Sequence, residues 1–123
     1  MQDKQLSKHF TLYELVKPSH RHLLTNEILL NLTKLCHEVE WAREKIGKPF
    51  IVTSGWRPEE YNKAIGGAPG SYHIKGLAMD FVVEGLPACE VRKRINDWPY
   101  GMEETISWVH LDIRPYKARF GPK

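Results

Sequence analysis

Apolar residues recur at three- and four-residue steps over Ile28, Leu29, Leu32, Leu35, Cys36, Val39, Ala42 and Ile46, the spacing that places side chains along one stripe of an α-helix. Thr25 precedes the pattern as an N-cap and Gly47 follows it as a stop, so one long core helix is predicted between them. A shorter helix is predicted from a Thr11 cap through Lys17. It ends before Pro18 because the residue ahead of a proline avoids the α region. A loop through His20 and His22 joins the two. Further along, β-rich stretches predict strands over 50–53, Leu77 to Val83 and Trp108 to Ile113. Pro58 suits the first turn of a helix carrying Tyr61, Asn62 and Ile65, which puts Arg57 at a strand-to-helix corner. Gly66 to Gly70 reads as an irregular loop, and Pro87 to about Asn96 as another helix. Helices precede and interrupt the strands without regular βαβ alternation, so the fold class is α+β, a small and mainly antiparallel sheet with helices packed on it.

The chain has 123 residues, 41% hydrophobic and 27% charged, with no internal repeat or linker, and reads as a single domain over residues 1–123. Four Trp, five Tyr and four Phe can build a core without metal or disulfide staples, which assigns any bound metal to function. No apolar run approaches the ~20 residues of a membrane-spanning helix, so no membrane insertion is expected. The first five residues, Met1 to Gln5, contain no apolar export segment. They predict synthesis in the cytoplasm. Net charge is +3 with the basic residues scattered, and no nucleic-acid partner is expected. Cys36 and Cys89 lack metal-ligand spacing and read as reduced, packed thiols. His20, His22 and His37 read as solvated or packed, and Trp41 as core.

The chemistry concentrates late in the chain. Ser71-Tyr72-His73-Ile74-Lys75-Gly76-Leu77-Ala78-Met79-Asp80 places a His at a loop end and an Asp seven residues on, inside a predicted strand. Trp108-Val109-His110-Leu111-Asp112 adds a second His on another strand. Catalytic zinc takes three protein ligands of these types and keeps a position for water. Spacing alone is a weak signal, because a lone His in a strand is more often a hydrogen-bonded core residue.

Ser71, His73, Gly76, Ala78 and Asp80 match the S-x-H-x-x-G-x-A-x-D signature, and the chain resembles the zinc D-alanyl-D-alanine peptidases. Their fold is shared with phage L-alanyl-D-glutamate endolysins and the hedgehog signalling domain. Leu6 to Leu12, Val52 to Arg57 with Tyr61-Asn62, and Trp108 to Asp112 extend the resemblance over essentially the whole chain, within the branch of small single-domain members. It implies one Zn²⁺ held by His73, Asp80 and His110, with a bound water attacking a peptide carbonyl. It also implies that Arg57 contacts the substrate and the oxyanion of the tetrahedral intermediate, a role suited to a fixed guanidinium; the alternative is surface pairing with Glu59 or Glu60. Ser71 belongs to the signature, and with Tyr72 and Trp108 it is expected to meet substrate, although the two aromatics are equally compatible with core positions.

The chain departs from that pattern at the general base. Many such relatives carry an acid or a His two or three residues before the last zinc ligand, where this chain has Trp108 and Ser107. Glu104, six residues before His110, is the first candidate base, since a turn could return its carboxylate to the metal. Asp112 is the second; two residues from His110 on a strand, it shares that residue's face and is equally placed to orient it. The function implied is a zinc metallopeptidase of peptidoglycan stem or cross-link peptides, with carboxypeptidase and endopeptidase action both open. The alternative is a catalytically silent zinc-binding module that recognises cell-wall peptides or a protein partner. Without an export segment, an enzyme of this kind is expected to reach the wall by another route, such as phage-type release. Oligomeric state is left open.

Overall fold

In a computed structural model, which describes residues 2–121, the long helix α2 spans Asn26–Ile46. The first residue of the N-terminal stretch considered above lies outside the described residues. Thr25 caps α2 through its side chain, which accepts from the Ile28 amide at 3.2 Å. Gly47 closes it in the left-handed region at φ 72°, so both predicted ends hold. Ahead of α2, β1 (Gln5–Ser7) and β2 (Phe10–Thr11) form a small antiparallel hairpin, followed by α1 (Leu12–Leu15). The expected loop through His20 is instead a 3-10 helix, Pro18–Leu23.

The second sheet carries the site. Its strands are β3 (Ile51–Ser54), β4 (Ala78–Val82), β5 (Gly101–Glu103), β6 (Val109–Asp112) and β7 (Ala118–Phe120). Their spatial order is β3-β4-β6-β5-β7, antiparallel except for the parallel β5–β7 pair. Helix α3 (Glu59–Ala64) follows β3, with Pro58 as its N-cap, and α4 (Ala88–Arg94) follows β4. The class predicted from sequence, α+β with a mainly antiparallel sheet, is the class observed.

Side chains alternate across the two faces of the sheet. Met79, Phe81, Met102, Val109 and Leu111 point one way and join Leu32, Leu35, Cys36, Val39 and Ala42 of α2 in one buried cluster. Phe81 stacks on Phe50 at 3.9 Å between ring centroids. Two packing expectations need correction. Trp41 lies at the edge of the core, 39% exposed and 6.2 Å from the Trp98 ring; Cys89 is exposed, whereas Cys36 is buried. Each occupies the solvent side of a helix whose other stripe meets the sheet.

Candidate metal centre

The opposite face of this sheet is polar, and its register aligns the candidate residues. Ser54 pairs with Asp80, Asp80 with His110, His110 with Glu103, and Glu103 with Phe120. Directly paired residues project to the same side of a sheet, so each of the five strands contributes one side chain to a single row. His73 reaches the same point from a 3-10 helix, Tyr72–Lys75, immediately before β4.

Local chemistry explains the signature around His73. Ser71 is the N-cap of that short helix, its hydroxyl accepting from the His73 amide at 3.1 Å. Gly76 ends it at φ 73°, a left-handed conformation that suits glycine. Ala78 is fully buried beside Asp112, its register partner.

His73, Asp80 and His110 are all buried, and a ligand atom from each lies within 4.8 Å of the others. The His73 Nε2 is 3.1 Å and the His110 Nδ1 2.9 Å from Asp80 Oδ1. The other ring nitrogens are committed. His73 Nδ1 donates to the Gly55 carbonyl at 2.7 Å, and His110 Nε2 donates to Asp112 Oδ2 at 2.9 Å. A carbonyl or carboxylate can only accept, so in a neutral ring the proton sits on this outer nitrogen, and the facing nitrogen then has a lone pair able to meet a cation. Two imidazoles and a carboxylate so oriented fit a zinc-type ion.

With no cation between them, the facing nitrogens instead donate to Asp80. Burial pushes the Asp80 carboxyl up, but hydrogen bonds from His110 and His73 and their charge outweigh it and hold Asp80 well below the usual carboxylate range. Burial pushes His110 down, yet hydrogen bonds to Asp112 and Asp80 raise it to about 9. Asp112 is opposed by burial and lowered to about 2 by Arg114 and His110. Protons on the imidazoles thus balance the Asp80 and Asp112 carboxylates.

Arg57 extends over the His73, Asp80 and His110 group. Its Nε donates to Ser54 Oγ at 3.0 Å, Nη1 to Asn62 Oδ1 at 3.3 Å and Nη2 to Asp80 Oδ2 at 3.3 Å. It therefore pairs with Asp80 instead of Glu59 or Glu60. Arg57, Ser71, Tyr72, Trp108, Glu103 and Arg114 join His73, Asp80 and His110 in lining a cleft of about 830 Å³. Trp108 is 40% exposed there, so of its two readings the cleft position holds.

The two candidate bases are placed differently. Asp112 is fully buried and gripped by the Arg114 Nε and Nη2 at 2.8 and 2.7 Å, which leaves it beside His110 as an orienting group. Glu104 is a correction. The residue before it, Glu103, pairs with His110, so Glu104 falls on the other face of the chain, beside Cys89, Arg92, Lys93 and Arg119. Sequence reading also passed over Ser54, Gly55 and Arg114. Only Ser54-Gly55, next to Arg57 in the chain, carried a local hint.

The sequence profile of the family described as Peptidase M15 matches residues 8–112. The chain belongs to the peptidase M15 family. M15 peptidases are in general zinc-dependent, and the buried His73, Asp80 and His110 form a group able to hold such an ion. Among curated proteins, the chain is 34% identical over 76 residues to "Peptidoglycan L,D-endopeptidase MepK" of Escherichia coli strain K12, covering 55% of this chain and 42% of the relative. The Shigella flexneri protein of the same name matches to the same extent. The Haemophilus influenzae "Probable peptidoglycan L,D-endopeptidase MepK" is 34% identical over 56 residues, 43% of this chain and 30% of the relative. This M15 chain thus spans less than half the length of the curated relatives it matches.

Proposed function

We propose that this chain is a single-domain, zinc-dependent peptidase that hydrolyses peptide bonds in peptidoglycan. The observation that carries the reading is the buried His73, Asp80 and His110 group, with both imidazoles held by partners behind it, at the floor of an open cleft. His73, Asp80 and His110 would hold one Zn²⁺. Bound zinc supplies a water of lowered pKa and polarises the carbonyl to be attacked.

The protein's own groups do the rest. Arg57, fixed by Ser54, Asn62 and Asp80, presents a guanidinium to the oxygen of the scissile carbonyl and stabilises the negative charge that develops there. Tyr72 and Trp108 flank the ligands along the cleft and hold the peptide, with Ser71 at its edge. Asp112 keeps the His110 ring in one orientation and tautomer. Peptidoglycan is the substrate class in the names of the matched relatives, and the L,D bond in those names is the first to test. Such a substrate places the action at the cell wall; no helix among the described residues is long and apolar enough to cross a membrane.

The test is a digest of purified peptidoglycan and synthetic stem peptides by the zinc-loaded protein, with a chelator-treated control and products read by mass spectrometry. Metal-dependent release of defined fragments is expected, with Arg57→Ala lowering turnover by about 10²-fold or more. Binding of the peptides without cleavage would instead make the chain a silent zinc-binding module.

A further inference from the structure

Hydrolysis of a peptide bond needs a group that takes a proton from the attacking water and delivers one to the leaving amine. Neither candidate read from sequence is placed to do it. Asp80 is a ligand, Asp112 is closed between His110 and Arg114, and Glu104 lies on the far face. One carboxylate that lines the cleft is still uncommitted. Glu103 is the direct register partner of His110 on the neighbouring strand, which brings their Cβ atoms within about 5.5 Å. It lies in the row between His110 and Phe120, is half-buried, and has no hydrogen bond or ion pair with any described residue.

We infer that Glu103 is the catalytic acid–base carboxylate of this site, an assignment that rests on the peptidase reading above. Glu103 accepts a proton from the water as the water oxygen bonds to the carbonyl carbon. The carbonyl π electrons move to the oxygen facing Arg57. When the tetrahedral carbon expels the amine, the C–N electron pair goes to nitrogen, and Glu103 returns the proton to it. Water is consumed, one carboxyl and one amine are released, and Glu103 ends as it began.

The position also explains why a base was not found two or three residues before His110. The chain between Glu103 and His110 is a hairpin connection, and its register, not its length, sets which residue stands beside the ligand. A strand partner seven residues away does the work that other layouts give to a nearer neighbour.

The experiment compares the zinc-loaded parent with Glu103→Gln, Glu103→Asp and Glu104→Gln. Turnover of a synthetic stem peptide, zinc content, and affinity for the same peptide by calorimetry are measured for each, the affinities of the cleaving proteins taken with their metal removed. Glu103→Gln is expected to lose about 10²- to 10⁴-fold in kcat, while keeping its zinc and its peptide affinity within about threefold. Glu103→Asp recovers part of the loss, and Glu104→Gln turns over like the parent. Unchanged kcat in Glu103→Gln overturns the assignment. So does a loss of zinc or peptide affinity that matches the loss of turnover, because Glu103 would then be holding the site together. A parent that binds peptide and zinc but cleaves nothing defeats the peptidase reading itself, and the assignment with it; the parent sample separates that failure from the others.

Discussion

At the scale of single residues, the site depends on atoms that touch no ligand. As a metal ligand, His110 would need the tautomer that its bond to Asp112 favours, and Asp112 stays in place because Arg114 holds both its oxygens. Gly101 makes this possible, since a Cβ there would stand 2.0 Å from Asp112 Oδ1 and 2.4 Å from Arg114 Nε. Arg114 is further clasped by Phe120 and Tyr72, whose ring centres lie 4.4 and 4.8 Å from its guanidinium carbon. Asp112→Asn is therefore expected to weaken metal binding by about 10- to 100-fold while the fold survives. Competition with a chelating dye measures it directly, and an unchanged zinc affinity would remove Asp112 from the orienting role.

At the scale of elements, the N-terminal hairpin is tied to α2 by Glu40. Its carboxylate accepts from Ser7 Oγ at 2.5 Å, from the His9 amide at 2.7 Å and from His9 Nδ1 at 2.6 Å. Burial pushes Glu40 up, but these hydrogen bonds from Ser7 and His9 prevail and hold it below its ordinary value of 4.5. The sign of the linkage follows. The contribution to stability is present above about pH 4.5 and is lost as pH falls through the lower folded value. Denaturant midpoints followed from pH 6 to pH 3 should fall more steeply in the parent than in Glu40→Gln; parallel slopes would show that Glu40 does not couple the hairpin to the helix.

At the scale of the whole molecule, the sheet divides labour between its faces. One face buries Met79, Phe81, Val109 and Leu111 against the α2 stripe, and the other carries the row from Ser54 to Phe120. A metal held by His73, Asp80 and His110 would join segments far apart in sequence: the turn before β4, β4 itself, and β6. Binding only to the folded chain, zinc at a thousandfold excess over its Kd would add about 4 kcal/mol. Chelation is thus expected to lower Tm measurably in calorimetry, and the same chelator should leave Tm of His73→Ala unmoved. An equal drop in both proteins would place the effect elsewhere.

The sequence by itself determined what depends on neighbours along the chain. The stripe and caps of α2 are local, as are the Ser71 cap, the Gly76 turn and the candidate residues His73, Asp80 and His110, and all were legible. The tertiary structure decided the rest. Strands β5 and β7 have three residues each, too few to show a period, and their existence depends on edges supplied by other strands. Register then chose between two adjacent glutamates. Shifting a strand by one residue reverses its faces, so only the pairing of β5 with β6 could put Glu103 beside His110 and send Glu104 to the far side.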